Sequence, residues 1–199
     1  MVLEGGKMTV LEILKIASNY LNLEEEFEPF FESSSQGNAI SEQTQAKYNK
    51  LLLAFNNIIS EIAMTKYPLI KVAQVNAISG ENQIGLILDL SDVGKVIKVS
   101  TKDGQPLVFL QTNDKIVFKT QASGVVYIEY CAIPKIYKAD DDLNEFNSLD
   151  KRVIALGIAG EYLYLNEIYD DSEVFRKEYE KGLKKYARNG KVMPRRKFV

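Results

Sequence analysis

The chain has 199 residues, of which 46% are hydrophobic and 26% are charged, and its formal net charge is −2. These values are typical of a soluble globular protein with one domain, or with one domain and appended arms. Apolar runs all fall short of the roughly 18 residues that a membrane-spanning helix needs, and residues 1–8 lack the apolar core of a secretory signal. We therefore expect a protein that is made and used in a cytoplasm and has no membrane partner.

The sequence contains no histidine and a single cysteine, Cys131. Histidine is the commonest general base and the commonest zinc ligand, and one cysteine excludes an internal disulfide and a multi-cysteine metal site. Phosphate-binding, dinucleotide-binding and serine-nucleophile motifs are also missing. We expect no catalytic residue, no metal site and no cofactor, and we interpret Cys131 as a buried side chain of a strand.

Two helices are predicted in the first third of the chain. Thr9 and Glu12 fit a capping box that opens a helix ending near Asn22. A long helix follows over about residues 41–65 and ends before Pro68. Its apolar side chains recur at helical spacing, which predicts a broad buried face rather than a coiled-coil seam: Tyr48, Leu51, Leu52, Phe55, Ile58, Ile59 and Ile62.

An acidic and aromatic stretch separates these helices. The acidic run at residues 24–28 is most simply a solvated face. Phe27, Phe30 and Phe31 lie beside Pro29, and two interpretations remain open. The rings either fix a loop to the body of the protein, which we favour, or fill a groove in a neighbouring subunit.

After Pro68 the hydrophobic period changes from helical to alternating. The candidate strands are 70–77, 83–90, 94–100, 106–111, 115–120 and 125–133. Asp103-Gly104 is a strong signal for a two-residue hairpin turn. Short strands at this regular spacing indicate an antiparallel sandwich or a small barrel. In the last strand the even-numbered residues from Val126 to Ala132 form one apolar face.

The final third predicts two more helices and a basic tail. The first helix spans about residues 153–165 and contains Gly157 and Gly160, which suggests that another backbone approaches closely there. The second spans about 172–188, with a cap supplied by residues 170–173. Residues 181–199 contain eight basic residues and no acidic one, so residues 1–180 carry 17 basic against 27 acidic residues.

The acidic loop between these parts has two possible interpretations. Asp140, Asp141 and Asp142 could bind calcium, but the spacing lacks the glycine and glutamate of an EF-hand. A solvated loop that favours the N-terminus of the next helix is the preferred interpretation.

The whole pattern predicts an α+β fold in which a helical body of about four helices carries an inserted antiparallel β-sandwich or barrel of about six strands. We predict an N-terminal helical arm (1–68), a β domain (69–136), a C-terminal helical hairpin (137–190) that packs with the N-terminal helices, and a basic tail (191–199).

The order of the last elements resembles the head-to-tail connector (adaptor or neck) proteins of tailed bacteriophages. The resemblance rests on the strand at 125–136 with its proline exit, the acidic stretch 140–150, the alanine-rich and glycine-rich helix 151–163, and the segment 175–179. Two helices followed by an inserted β domain in the front half are also similar to that family.

The resemblance implies a structural virion protein of the neck that performs no catalysis. It implies a homo-oligomeric ring that contacts the portal protein and the tail or neck proteins, and through which DNA passes without sequence-specific binding. Portal or subunit contacts are expected at Lys191, Arg195, Arg196, Lys197 and Phe198. Subunit contacts are also expected at Asp140, Asp141, Asp142, Phe27 and Phe30.

One alternative of another class stays open. A β-sandwich with helical arms could bind a small molecule or a carbohydrate. The absence of tryptophan and the core-like spacing of most tyrosines disfavour it.

Overall fold

A computed structural model describes most of the chain, in two compact units. The described residues are 8–31, 40–77, 85–87, 92–112, 115–118 and 124–188, with the backbone alone described at 77, 85–87, 115 and 186–188. One unit is Met1–Glu61 with Ile136–Val199, and the other is Ile62–Lys135. The first is helical and the second is built of strands, so the predicted α+β class is confirmed.

In the part of the helical unit that the structure describes there are five α-helices, where about four were predicted. They are α1 (Val10–Tyr20), α2 (Glu24–Phe31), α3 (Glu42–Glu61), α4 (Lys151–Leu165) and α5 (Tyr169–Arg188). A short 3-10 turn, Asn144–Phe146, precedes α4.

Local sequence signals explain where α1 and α3 form. The Oγ1 of Thr9 accepts a hydrogen bond from the Glu12 backbone N–H at 3.3 Å, which confirms the predicted N-cap. Helix α3 buries Tyr48, Phe55 and Ile59 as predicted. After Glu61 the chain continues into a π turn, Ile62–Lys66, which belongs to the other unit.

Helix α2 was predicted as a loop, and that prediction is wrong. Its three leading glutamates lie in the first turn, where the helix dipole favours negative charge. Pro29 removes a backbone donor in the middle of the helix. Aromatic packing on Tyr48 offsets this loss: its ring stacks on Phe30 with centroids 4.0 Å apart, and Phe27 meets it edge-on at 5.7 Å.

The glycines of α4 allow close packing against α5, as predicted. A Cβ built on Gly160 would lie 3.3 Å from the Arg176 backbone nitrogen. A Cβ on Gly157 would lie 2.9 Å from ring carbons of Tyr179, so at this position a side chain rather than a backbone fills the space.

The predicted cap of α5 is wrong. The helix begins at Tyr169, three residues before Ser172. Ser172 is buried, and its hydroxyl donates to the Gly160 carbonyl at 2.8 Å. A hydroxyl that cannot reach water needs a partner inside the protein, and the α4 backbone supplies it.

The strands that the structure describes in the β-unit form two three-stranded antiparallel sheets. The strands are β1 (Leu69–Ala77), β2 (Gly85–Ile87), β3 (Val93–Thr101), β4 (Phe109–Gln111), β5 (Lys115–Phe118) and β6 (Gly124–Ala132). One sheet has the order β1-β6-β3 and the other the order β2-β5-β4. In the described part of the chain no strand ladder joins the two sheets.

Strand β6 is central in its sheet, and its even-numbered face is buried as predicted. The cluster around this face draws side chains from both sheets: Val96, Val99, Ile116, Phe118, Val126, Ile128, Tyr130 and Ala132. Cys131 is a free thiol on the opposite face, where it is half-buried. The expectation of a fully buried cysteine is therefore only partly met, because alternation along the strand turns odd-numbered residues outward.

The turn after β3 has three residues rather than the predicted two. Thr101 N–H donates to the Gln105 carbonyl at 2.9 Å, and Gly104 N–H donates to the Thr101 carbonyl at 3.0 Å. Gly104 has φ +79°, a left-handed conformation that glycine adopts without strain.

Candidate interaction sites

A groove between α1 and α2 encloses a cavity of about 270 Å³. Its lining is mainly acidic and polar: Lys15, Ser18, Asn19, Glu24, Glu25, Glu28 and Phe31. The Lys15 ammonium lies 5.7 Å from the centre of the Phe31 ring. The acidic lining of the groove favours a cationic group, but the Lys15 ammonium already occupies the position beside the Phe31 ring.

The predicted interface aromatics Phe27 and Phe30 lie within the helical unit. Phe27 is fully buried, so its ring is part of this chain's own core. Phe30 is half-buried against Tyr48. The interpretation in which these rings fix their segment to the body is the one that the structure supports.

The predicted acidic loop is attached to the start of α1. Asp141 accepts the Val10 backbone N–H through its carbonyl at 3.1 Å, and its carboxylate accepts the Lys138 N–H at 2.8 Å. Asp142 forms a β-bridge with Thr9. Of the three aspartates only Asp140 is well exposed. The loop precedes the 3-10 turn rather than α4, so its predicted favourable effect on a following α-helix is wrong; Asp150 caps α4 instead.

The predicted tail contacts lie outside the described residues. Lys191, Arg195, Arg196, Lys197 and Phe198 all follow Arg188, where the described chain ends.

An exposed aromatic patch at the turn between α4 and α5 was not predicted. Tyr164 and Tyr169 are 54% and 58% exposed, and Ile168 between them is 46% exposed. The two rings meet edge to face with centroids 5.5 Å apart. We call these three residues the tyrosine patch. The signal in the sequence was two tyrosines flanking a helix break, but their spacing was equally compatible with a buried face.

The outer face of the β1-β6-β3 sheet also exposes apolar side chains. Ile70 and Val72 on β1 and Ile97 on β3 are exposed, and Cys131 lies between them on β6. Lys95 and Lys98 of β3 share this region of the sheet. The face is therefore mixed, because its exposed apolar side chains lie among Lys95, Lys98 and Glu129. The exposed apolar side chains are candidates for contact with a partner.

A charged cluster lies at the end of the same sheet where β1 begins and β6 ends. Lys71 Nζ lies 2.8 Å from Asp92 Oδ2, and the Tyr130 hydroxyl donates to Asp92 Oδ1 at 3.2 Å. The hydrogen bond from Lys71 lowers the pKa of Asp92, and burial raises the pKa of Tyr130. Both shifts keep the carboxylate ionised and the phenol neutral, a structural ion pair rather than an acid–base couple.

A second polar cluster joins three helices. Arg176 of α5 bonds Glu61 of α3 at 3.1 Å and Glu161 of α4 at 3.4 Å. Glu161 also accepts the Asn57 amide at 2.9 Å. The carboxylate of Glu161 therefore has structural partners, which explains its place in the buried helix.

Within the described residues, no group of three or more histidine, cysteine, aspartate or glutamate side chains is placed to hold a metal ion. Among the helices that the structure describes, none is both long enough and apolar enough to span a membrane.

The chain matches no protein-family model and no curated protein.

Proposed function

We propose that this protein is a head-to-tail connector of a tailed bacteriophage, a structural virion protein that forms a ring between the portal and the tail and performs no catalysis. The order of elements carries the proposal. Strand β6 ends just before Pro134, an acidic segment follows, and the glycine-rich α4 then packs on the charged α5. This is the order on which the resemblance to connector proteins rests.

Exposed apolar surface supports self-association. Large apolar side chains are exposed at the tyrosine patch and on the outer sheet face. Soluble monomers rarely leave wide apolar patches in water. A ring would bury such surfaces between adjacent copies and against the portal, and so would explain why they are apolar.

The finer β architecture that we propose is a sandwich. Residues of β3 and β6 from one sheet and of β5 from the other contribute to a single buried cluster. Two sheets that share a core in this way are typical of face-to-face packing.

The charge distribution supports DNA passage rather than DNA binding. Residues 1–180 have ten more acidic than basic residues. A dedicated duplex binder needs a broad basic face. An acidic ring wall repels DNA phosphates and would therefore let DNA move through the ring. The proposed location of the protein is the neck of the virion, after synthesis in the host cytoplasm.

Light scattering and negative-stain microscopy test the proposal. The full chain is measured alone at rising concentration and after mixing with the portal ring of the same phage. We expect rings of identical subunits arranged around a central axis, formed by the chain alone or on the portal. A portal from an unrelated phage is the matched control and should not be decorated. A chain that stays monomeric alone and leaves its own portal bare would refute the connector role.

A further inference from the structure

The tyrosine patch has the properties of a preformed binding site. Tyr164, Ile168 and Tyr169 together present two rings and a branched side chain to solvent, each about half exposed. Buried tyrosines are frequent energetic centres of protein interfaces. Contiguous exposed apolar side chains such as these mark interaction sites, whereas single exposed apolar residues are normal on protein surfaces.

The backbone beneath the patch is held in place. Ile168 N–H donates to the Leu163 carbonyl at 3.0 Å, and Ser172 N–H donates to the Ile168 carbonyl at 3.2 Å. Glu167 has φ +63°, which closes the turn between the helices. The buried hydroxyl of Ser172 fixes the start of α5 to α4. A rigid patch loses little conformational entropy when it binds.

The segment that carries the patch is acidic, and one cation lies at the turn: the Lys50 ammonium of α3 donates to Asn166 Oδ1 at 2.8 Å. From Tyr162 to Phe175 the sequence contains four acidic residues and no basic one. Glu167, Asp170 and Asp171 are exposed, whereas Glu173 is paired with Lys177 at 2.8 Å. The complementary partner is therefore a segment that combines cations with an apolar anchor.

The chain itself contains such a segment. Residues 189–199 include four basic residues, no acidic residue, and the apolar pair Phe198-Val199 at the end. Helix α5 runs from Tyr169 to Arg188, about 29 Å at ~1.5 Å per residue. The ten residues from Arg188 to Phe198 reach about 33–36 Å when fully extended. To reach its own patch, the tail would have to run back along α5 almost fully stretched.

We propose that the tyrosine patch binds residues 191–199 of a neighbouring copy of this chain. Phe198 packs on the two tyrosine rings, and the guanidinium groups of Arg195 and Arg196 meet the surrounding carboxylates and ring faces. The proposal rests on the proposed ring assembly, because it assigns one of its subunit contacts. It also accounts for Phe198 next to three consecutive basic residues.

Photo-crosslinking of the full chain tests the contact. Phe198 is replaced by p-benzoylphenylalanine, ¹⁵N-labelled and unlabelled chains are mixed without portal, and cross-linked peptides are identified by mass spectrometry. We expect links from position 198 to residues 164–174 in mixed labelled and unlabelled pairs, with a yield that falls as salt rises. Links within one chain only, links to the α1–α2 groove, or no links would overturn the proposal.

Two patch variants and one control sharpen the result. Tyr164→Ser with Tyr169→Ser should lower the mixed-pair yield about tenfold or more, the loss expected from two aromatic contacts. Asp171→Asn with Glu167→Gln removes two charges but keeps both tyrosine rings, so it replaces the first variant if that one does not fold. It should make the cross-linking yield less dependent on salt. Leu53→Ser is the control, since Leu53 is 51% exposed on α3.

Samples prepared both without and with the portal ring separate this proposal from the connector role. If rings form but the links map elsewhere or survive the patch variants, the tail contact is wrong and the connector role stands. If the chain stays monomeric alone and on the portal, the connector role itself fails.

Discussion

Replacement of Asn56 tests how the segment after the β-unit is fixed to α3. The Asn56 amide donates to the Tyr137 carbonyl at 3.1 Å and to the Leu52 carbonyl at 3.0 Å. Its Oδ1 accepts the Tyr137 N–H at 2.8 Å. Tyr137 is buried, with its ring 6.0 Å from that of Phe55. One side chain thus pairs both peptide groups of a buried residue.

The expected loss for Asn56→Leu is about 2–4 kcal/mol of unfolding free energy. Leucine has the same branched shape and the same number of side-chain heavy atoms as asparagine but cannot pair with a peptide group. It would leave two groups of Tyr137 without this partner, at about 1–3 kcal/mol each when no water replaces it. Asn56→Asp keeps the acceptor and loses the donor, so its loss should fall between those of Asn56→Leu and the wild type.

Urea unfolding followed by circular dichroism at 222 nm measures the loss, because that signal reports the helices. Asn57→Leu is the matched control: Asn57 is exposed and makes one side-chain bond, to Glu161. Surface changes of this kind usually alter stability by about 0.5 kcal/mol or less. Equal unfolding midpoints for Asn56→Leu and Asn57→Leu would refute the reasoning.

Three further predictions follow from packing, charge and chain order. Gly157→Ala should lower the free energy of unfolding, measured in urea, by about 1–2 kcal/mol. The new Cβ would lie 2.9 Å from the Tyr179 ring, and this crowding outweighs a helix-propensity gain of about 1 kcal/mol. A more stable variant would show that α5 can shift away to make room for the methyl group. Asp92→Asn should destabilise the β-unit at neutral pH. Lys71 lowers the pKa of Asp92, so the carboxylate stabilises the fold above its unfolded pKa of about 3.9 and loses this effect as pH falls through its lower folded pKa. Thermal melts from pH 2 to 7 should show the wild-type advantage constant above about pH 5 and shrinking below it, whereas a pH-independent difference would contradict this account. Deletion of residues 191–199 should leave thermal melting unchanged and weaken assembly in light scattering, and a truncated chain that assembles as well as the full chain would remove the tail from the interface.

Local patterns in the sequence were sufficient for most elements. The change of hydrophobic period at Pro68 predicted the strands, and the Thr9 capping box predicted the start of α1. The glycines of α4 predicted a close approach of another backbone, which α5 makes at Gly160 but not at Gly157. Each of these depends on residues a few positions apart, whose effect on backbone and face comes from local geometry.

Helix α2 and Ser172 could not be predicted in this way. Pro29 and a length of eight residues argue against a helix. Contacts with α3 stabilise one, through the stacking of Phe30 on Tyr48 and the ion pair of Glu26 with Lys47. Ser172 has the local features of an N-cap, yet the nearby Gly160 carbonyl takes its hydroxyl. In both cases a partner distant in sequence supplies more free energy than the local preference.

The same distinction between local sequence and tertiary contacts applies to the candidate sites. Sequence alone determined the charge of the chain, the lack of histidine and the apolar end of the basic tail. Tertiary structure decided which of these features face water: it buried Phe27 in the core, attached Asp141 and Asp142 to the start of α1, and left Tyr164 and Tyr169 exposed. Periodicity specifies that a face is apolar, but whether another element covers that face depends on contacts between residues far apart in the chain.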